Sequence, residues 1–507
     1  MKRRHNISNN IQTRIIKSSF WSVLKFITGF FRQLLLVPLF LTAWGKSDYA
    51  KWLLILSISI LITSINTGIY QYIGNKFNVT FHTNKEKAIS IFRHGFYLGV
   101  FLVIIESGIV GVISLDANSM SQILTTDISK IVESNLNIVF FILVSTSAFH
   151  FFIFRYVLQL YNPIGEIFKV FKIEVFYELL EVLVIATLLI TGMKIYFMTL
   201  IYSAYKILFS IFIFALLYNR FKVFKWKNKF NLKNYFILIK RSPAFVFNNL
   251  FEKLYTDGIS ILISNIFSVL LIPVFTTIRT MGNLLITSSN FFSNSVMPDL
   301  QRYFAKNEKK KIIFLFDATW IFITLPVNLA ILIGLPWIKD VYLFWTKGEL
   351  HFDGILLAFI LSSAIILNFN SIVVNFLKAI NNTKFLYKFT FIKVILIFSI
   401  SYLFKNTGLS IIGIALFISE IVTSLFFANM ELNKIIKELN FVKITYAFLP
   451  NFVTILTVIG FYTLGFYPFY LLIPISIVLI LYFIKWKELD AWIKEKIIHF
   501  LNFNFVK

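Results

Sequence analysis

Continuous apolar runs, interrupted by short polar and basic connections, are the dominant pattern along the chain. Read in windows of about 19 residues, they predict fourteen helical spans, near 18–42, 48–73, 92–115, 135–160, 172–192, 195–218, 243–266, 269–297, 312–335, 354–379, 386–404, 409–431, 444–465 and 468–484. Each run is long enough to cross a hydrocarbon core about 30 Å thick. Barrel strands would instead alternate in polarity over about 10 residues, so a β-barrel is excluded. The expected fold class is an all-α polytopic membrane protein with two six-helix lobes, 1–218 and 242–432, around a central cavity. A basic amphipathic linker (219–241), an extra helix pair (433–484) and an amphipathic tail (485–507) complete the expected organisation.

Polar residues inside the spans fall on helical faces. In the first span Ser18, Ser22, Lys25, Thr28, Gly29 and Arg32 recur at spacings of three, four and seven, opposite Phe26, Phe30 and Leu34. The seventh repeats the pattern with Asn249, Glu252, Lys253, Thr256, Asp257 and Ser260. The eighth does so with Thr276, Arg279, Thr280, Asn283, Thr287, Asn290 and Asn294. Ser57, Ser64, Thr67 and Gln71 form a weaker stripe on the second span. Charge at bilayer depth is costly and persists where it meets a cavity or a partner, so these faces are expected to line a wet cavity. Lys25, Arg32, Lys253 and Arg279, with Asn283 beside them, would suit an anionic ligand such as a diphosphate. Glu252 and Asp257 are candidates for neutralising those bases or for coupling a cation. A second acidic face, Glu174, Glu178 and Glu181 on the fifth span, has Lys206 and Arg155 as its obvious partners; a structural Glu181–Lys206 pair is expected over a separate cation site, for which Glu178 and Glu181 are the ion-coupling candidates.

Composition sharpens this picture. The 507 residues are 58% hydrophobic and 14% charged, where a soluble domain averages roughly 25% charged. The net charge of +25 would suggest nucleic acid in a soluble protein. Here 35 of the 49 Lys and Arg fall in one alternate set of connections and 7 in the other, which assigns both termini to the cytoplasm and makes a nucleic-acid partner unnecessary. The chain has no cysteine, no phosphate-cradling glycine loop and no metal-ligand spacing, so an enzyme and a protein-bound cofactor are not expected.

The opening RIIKSSFWSVLKFITGFFRQLLLVPLFLTAWGKSDYAKWLLILSISILI, the following GIYQYIGNKFN and the later MPDLQRYFAKNE resemble O-antigen and polysaccharide flippases of the Wzx type. These belong to the multidrug/oligosaccharidyl-lipid/polysaccharide (MOP) exporter superfamily. The resemblance implies a bacterial inner-membrane transporter that moves an undecaprenyl-diphosphate-linked oligosaccharide to the periplasmic leaflet by alternating access. It also implies a proton or sodium gradient as candidate driving force. Expected partners are the lipid-linked oligosaccharide and membrane lipids, with a polysaccharide polymerase and a chain-length regulator as candidates. Lipid II flippases of the superfamily carry diphosphate-handling arginines on the first, second and eighth helices. Arg32 and Arg279 are comparable in helix, whereas the second span has no arginine. The alternatives are an ion-coupled small-molecule or drug exporter of the same superfamily and a membrane polysaccharide polymerase. Four stripe bases against two acids weigh against export of organic cations, and the short external loops weigh against a polymerase.

Overall fold

The computed structural model describes residues 2–488 except 126–127, 222–237, 241, 381 and 466. Within its helices, the side chains of 2–16, 19, 130, 132–133, 288–292, 294–295, 298, 305 and 383–384 are outside the description. Most of the basic linker, the amphipathic tail from 489 onward, and the side chains of Asn290 and Asn294 therefore lie outside the described residues. Those described are predominantly helical with no strand among them, as expected of a chain that must satisfy its backbone internally in hydrocarbon.

Seventeen α-helices are described: α1 Lys2–Phe81, α2 Lys85–Leu115, α3 Ala117–Leu124, α4 Ile128–Glu133, α5 Leu136–Tyr156, α6 Ile167–Ile190, α7 Ile195–Phe221, α8 Pro243–Thr256, α9 Gly258–Ile266, α10 Ile272–Ala305, α11 Lys309–Trp345, α12 Gly354–Ala379, α13 Thr383–Leu403, α14 Ser410–Glu420, α15 Ala428–Ile435, α16 Phe441–Leu464 and α17 Leu472–Glu488. Among the described residues, eleven helical stretches are long and apolar enough to cross a membrane. The three remaining predicted spans have physical explanations. The first two are counted as one because α1 runs through both, turning at Gly45. The fifth, α6, carries Glu174, Glu178 and Glu181 in its apolar stretch. The seventh is interrupted at Asp257, which separates α8 from α9.

Gly45 has φ 65° and ψ −178°, a region essentially closed to side-chain-bearing residues. This single residue turns the chain from one membrane crossing into the next without a loop. Elsewhere the ends are set by side chains. Asn84, Asp353, Asn382 and Asn440 accept the backbone N–H groups of Lys87, Leu356, Phe385 and Lys443, capping α2, α12, α13 and α16. Gly465, at φ 68°, closes α16 in the left-handed conformation.

The chain forms two compact units, Met1–Pro273 with Trp345–Leu350, and Val274–Phe344 with His351–Lys507. In the first, α1 packs against α2, α5, α6 and α8. Its core is aromatic: Phe92 stacks on Tyr156 with centroids 4.8 Å apart, and the Tyr156 hydroxyl donates to the Phe92 carbonyl. Gly68 permits close approach of α8, since a Cβ there would lie 2.5 Å from the Cα of Val246. In the second unit α12 is the largely buried central helix, packed by α14 and α16. Trp320 of α11 stacks on Phe369 of α12 at 4.9 Å and donates to its carbonyl.

Candidate functional site

The first arm of α1 and the length of α6 form a three-rung polar ladder in the first unit. Lys25 Nζ meets Glu174 Oε2 at 2.6 Å. One turn on, the Thr28 hydroxyl shares its proton between Glu178 Oε2 at 3.1 Å and the Lys25 backbone carbonyl at 2.9 Å, and one turn further Arg32 Nη1 meets Glu181 Oε2 at 2.7 Å. The sequence offsets are 149, 150 and 149 residues, so the two helices run in the same direction with matched turns. Spacing of three and four on each helix places all six side chains on the facing surfaces.

The ladder is asymmetric in exposure. The Lys25 and Arg32 side chains are 34% and 35% exposed, whereas Glu174 and Glu181 are 16% and 7% exposed. Behind Glu181 lies a buried polar shell: Tyr202 and Tyr177 donate to its Oε1 at 2.6 and 3.2 Å. The expected Glu181–Lys206 pair is replaced by Arg32–Glu181. Arg32 arrives from α1 on the open side, while Lys206 donates to Ser147 at 3.2 Å and lies 4.4 Å over the Tyr202 ring. Tyr202 is fixed by Trp52 at 5.8 Å, within a cluster that includes Phe40, Trp44 and Tyr49. His150 Nδ1 lies 3.0 Å from Ser210 Oγ one layer away.

Glu178 differs from its neighbours. Thr28 supplies its one direct hydrogen bond, and among the described residues no cation is within ion-pair distance of it. Three carboxylates are thus matched by Lys25, Arg32 and, one residue removed, Lys206. The result is a charge-balanced site whose middle carboxylate is held by a hydroxyl. The balance departs from the cationic lining expected from the α1 stripe, because that stripe was counted without the α6 acids opposite it.

The other predicted site residues lie elsewhere. Lys253 pairs with Asp257 at 3.4 Å along α8, and Thr256 donates to the same carboxylate at 2.7 Å. Glu252 is exposed, and Asn249 donates to Gln71 at 2.8 Å, tying α8 to the second arm of α1. Arg279 and Asn283 are on α10 in the second unit, Arg279 over the Phe275 ring at 5.5 Å and Asn283 exposed. Two acids with no role expected from sequence have partners. Glu106 accepts from Asn66, and Glu420 accepts from Lys393 Nζ at 2.8 Å on each oxygen and from Ser424 at 2.5 Å. The Lys393–Glu420 pair is almost wholly buried, beside the π-helical segment Ile421–Phe427.

Tyr177 and Tyr202 are absent from the residues expected from sequence. The available signal was their depth: Tyr177 lies one turn before Glu181, and Tyr202 one turn before Lys206.

No family model and no curated protein matches the chain by sequence. Solved structures do match in fold. A multidrug-resistance MATE family transporter of the MOP superfamily, in an inward-facing conformation, superposes with TM-score 0.58 at 12% identity, covering 80% of this chain and 96% of that one. A MATE transporter in complex with MaD3S gives 0.54 at 13% identity, covering 84% and 97%. A mutant of VcmN, a MATE transporter from Vibrio cholerae, gives 0.55 at 10% identity, covering 84% and 98%. The protein is an all-α, multi-pass membrane protein with the fold of the MATE transporters of the MOP superfamily.

Proposed function

We propose that the protein is an ion-coupled exporter of small molecules in which Glu178, flanked by the Lys25–Glu174 and Arg32–Glu181 pairs, binds the coupling proton or sodium ion. The observation that carries this reading is the middle rung: a carboxylate held by Thr28 in a ladder whose other two acids are ion-paired. A proton or cation bound there discharges the rung without displacing a resident base. Glu178 is half-buried and has no cation in direct contact among the described residues, so its charge is less well compensated than those of Glu174 and Glu181, and its occupancy shifts the energy of the α1–α6 contact. That is the differential binding alternating access needs. The shared fold with multidrug-resistance MATE transporters supports export of a small molecule, and Glu181, Glu252 and Asp257 are supporting acids rather than the primary ion site.

A second reading, translocation of an undecaprenyl-diphosphate-linked oligosaccharide, is favoured by the partial exposure of the Lys25 and Arg32 side chains, with Lys253, Arg279 and Asn283 as further anion contacts. On either reading the protein works in a bacterial inner membrane with cytoplasmic termini. The flippase reading adds a polymerase and a chain-length regulator as partners.

Expression in an exporter-deficient strain separates the two. Export predicts energy-dependent ethidium efflux that falls about tenfold in Glu178→Gln, the scale of losing one charged hydrogen-bonding group. Restoration of surface polysaccharide in a flippase-deficient strain, with no ethidium efflux, would establish the second reading instead.

A further inference from the structure

In the second unit, α11, α16 and α17 enclose a cavity of about 180 Å³ that the ladder does not involve. Lys443 lies in the first turn of α16, and Lys485 and Glu488 lie in the last turn of α17. The cavity therefore opens at helix ends, at the depth of lipid headgroups. Its wall carries Asp317, Lys443, Lys485 and Glu488, with Trp320, Tyr446 and Tyr482 between them.

Lys485 is the unusual member. It is 8% exposed, yet its one hydrogen bond among the described residues goes to the Ala447 carbonyl, at 2.7 Å. Its ammonium has three donors, and two remain for whatever occupies the cavity. Its position is fixed by the Tyr446 and Tyr482 rings, 5.3 and 6.0 Å from Nζ. Tyr482 is anchored in turn by Thr324 at 2.6 Å and Asn328 at 2.9 Å. The acids are placed separately: Asp317 meets Lys443 at 2.7 Å, and Glu488 accepts from the Tyr446 hydroxyl at 3.0 Å.

Two lysines and two carboxylates leave the wall without net charge. An anion alone would meet the carboxylates, and a cation alone would meet Lys485. A group carrying both charges satisfies each side. We propose that this cavity holds the zwitterionic headgroup of a phospholipid bearing a phosphate and a primary ammonium. The phosphate sits on Lys485, and the ammonium donates to Glu488 and Asp317 beside the Trp320 and Tyr446 rings. The acyl chains remain in the bilayer outside α16 and α17. This is independent of the transport reading.

Native mass spectrometry of the full-length purified protein, given equal amounts of phosphatidylethanolamine, phosphatidylglycerol and phosphatidylcholine, tests the assignment. The wild type is expected to retain phosphatidylethanolamine about tenfold over the others, the scale set by one charge-assisted hydrogen bond. Lys485→Gln should abolish that preference and Lys485→Arg should keep most of it. Glu488 is exposed, so Glu488→Gln should fold normally and lose the preference for the primary ammonium over choline. Equal or greater retention of phosphatidylglycerol would overturn the proposal. So would displacement of bound lipid by millimolar inorganic phosphate, or an unchanged preference in both Lys485→Gln and Glu488→Gln.

Discussion

Glu178 and Glu181 lie one turn apart on the same helix and differ in what holds them. Glu181 accepts from Arg32, Tyr177 and Tyr202, whereas Glu178 has the Thr28 hydroxyl. Removing Arg32 leaves the buried Glu181 carboxylate with the Tyr177 and Tyr202 hydroxyls and the more distant Lys206, so Arg32→Gln should lower the denaturation midpoint in detergent. Thr28→Val should alter the ion dependence of transport while leaving both ion pairs of the ladder in place, because its hydroxyl is the one direct hydrogen-bond partner of Glu178 among the described residues. The Lys393–Glu420 pair makes a parallel case in the second unit. Lys393→Met alone should destabilise by about 3–5 kcal/mol, and adding Glu420→Gln should recover much of the loss in a double-mutant cycle. The α1 half of the ladder was legible in the sequence, since Lys25, Thr28 and Arg32 share one helical face. Its closure was not, because the partners are some 150 residues away and equal spacing on α6 does not say which base meets which acid.

At the scale of elements, apolar runs revealed nearly every helix, because length and hydropathy suffice in lipid. What they did not reveal is how helices are joined and broken. Gly45 reads as an ordinary loop glycine in a Trp-Gly-Lys stretch, yet it holds the turn between two crossings at φ 65°. Nothing lies within 4 Å of a Cβ built there, so the constraint is backbone conformation alone. Gly45→Ala should therefore cost about 1–3 kcal/mol through strain, with no loss of packing. Gly68 is the opposite case. A Cβ there would meet the backbone of α8, so Gly68→Ala should push α8 from the second arm of α1 and weaken the Asn249–Gln71 hydrogen bond. Limited proteolysis should detect the loosened α8. The break at Asp257 was also hidden, because Lys253 and Asp257 sit at i and i+4, a spacing as natural to an unbroken helix.

At the scale of the whole molecule, the alternating basic connections predict a topology that can be read directly. The chain has no cysteine, so single reporters need no background removal. In intact cells a membrane-impermeant maleimide should label Lys405→Cys and leave Glu86→Cys untouched; the reverse pattern would invert the orientation. The superfamily fold was legible through the opening motif and the helix count. The charge balance of the α1–α6 ladder bears on the substrate expectation. Counting four stripe bases against two acids made the protein look built for an anion, while Glu174, Glu178 and Glu181 were set aside as a separate face. Opposed to Lys25 and Arg32, they remove that argument and leave an acid as the distinctive group. Ethidium efflux from proteoliposomes, with and without an imposed proton or sodium gradient, tests this most directly. The wild type should respond to one gradient, and Glu178→Gln should lose that response while keeping slow, gradient-independent flux. Wild-type gradient dependence in Glu178→Gln would contradict the assignment of coupling to the middle rung.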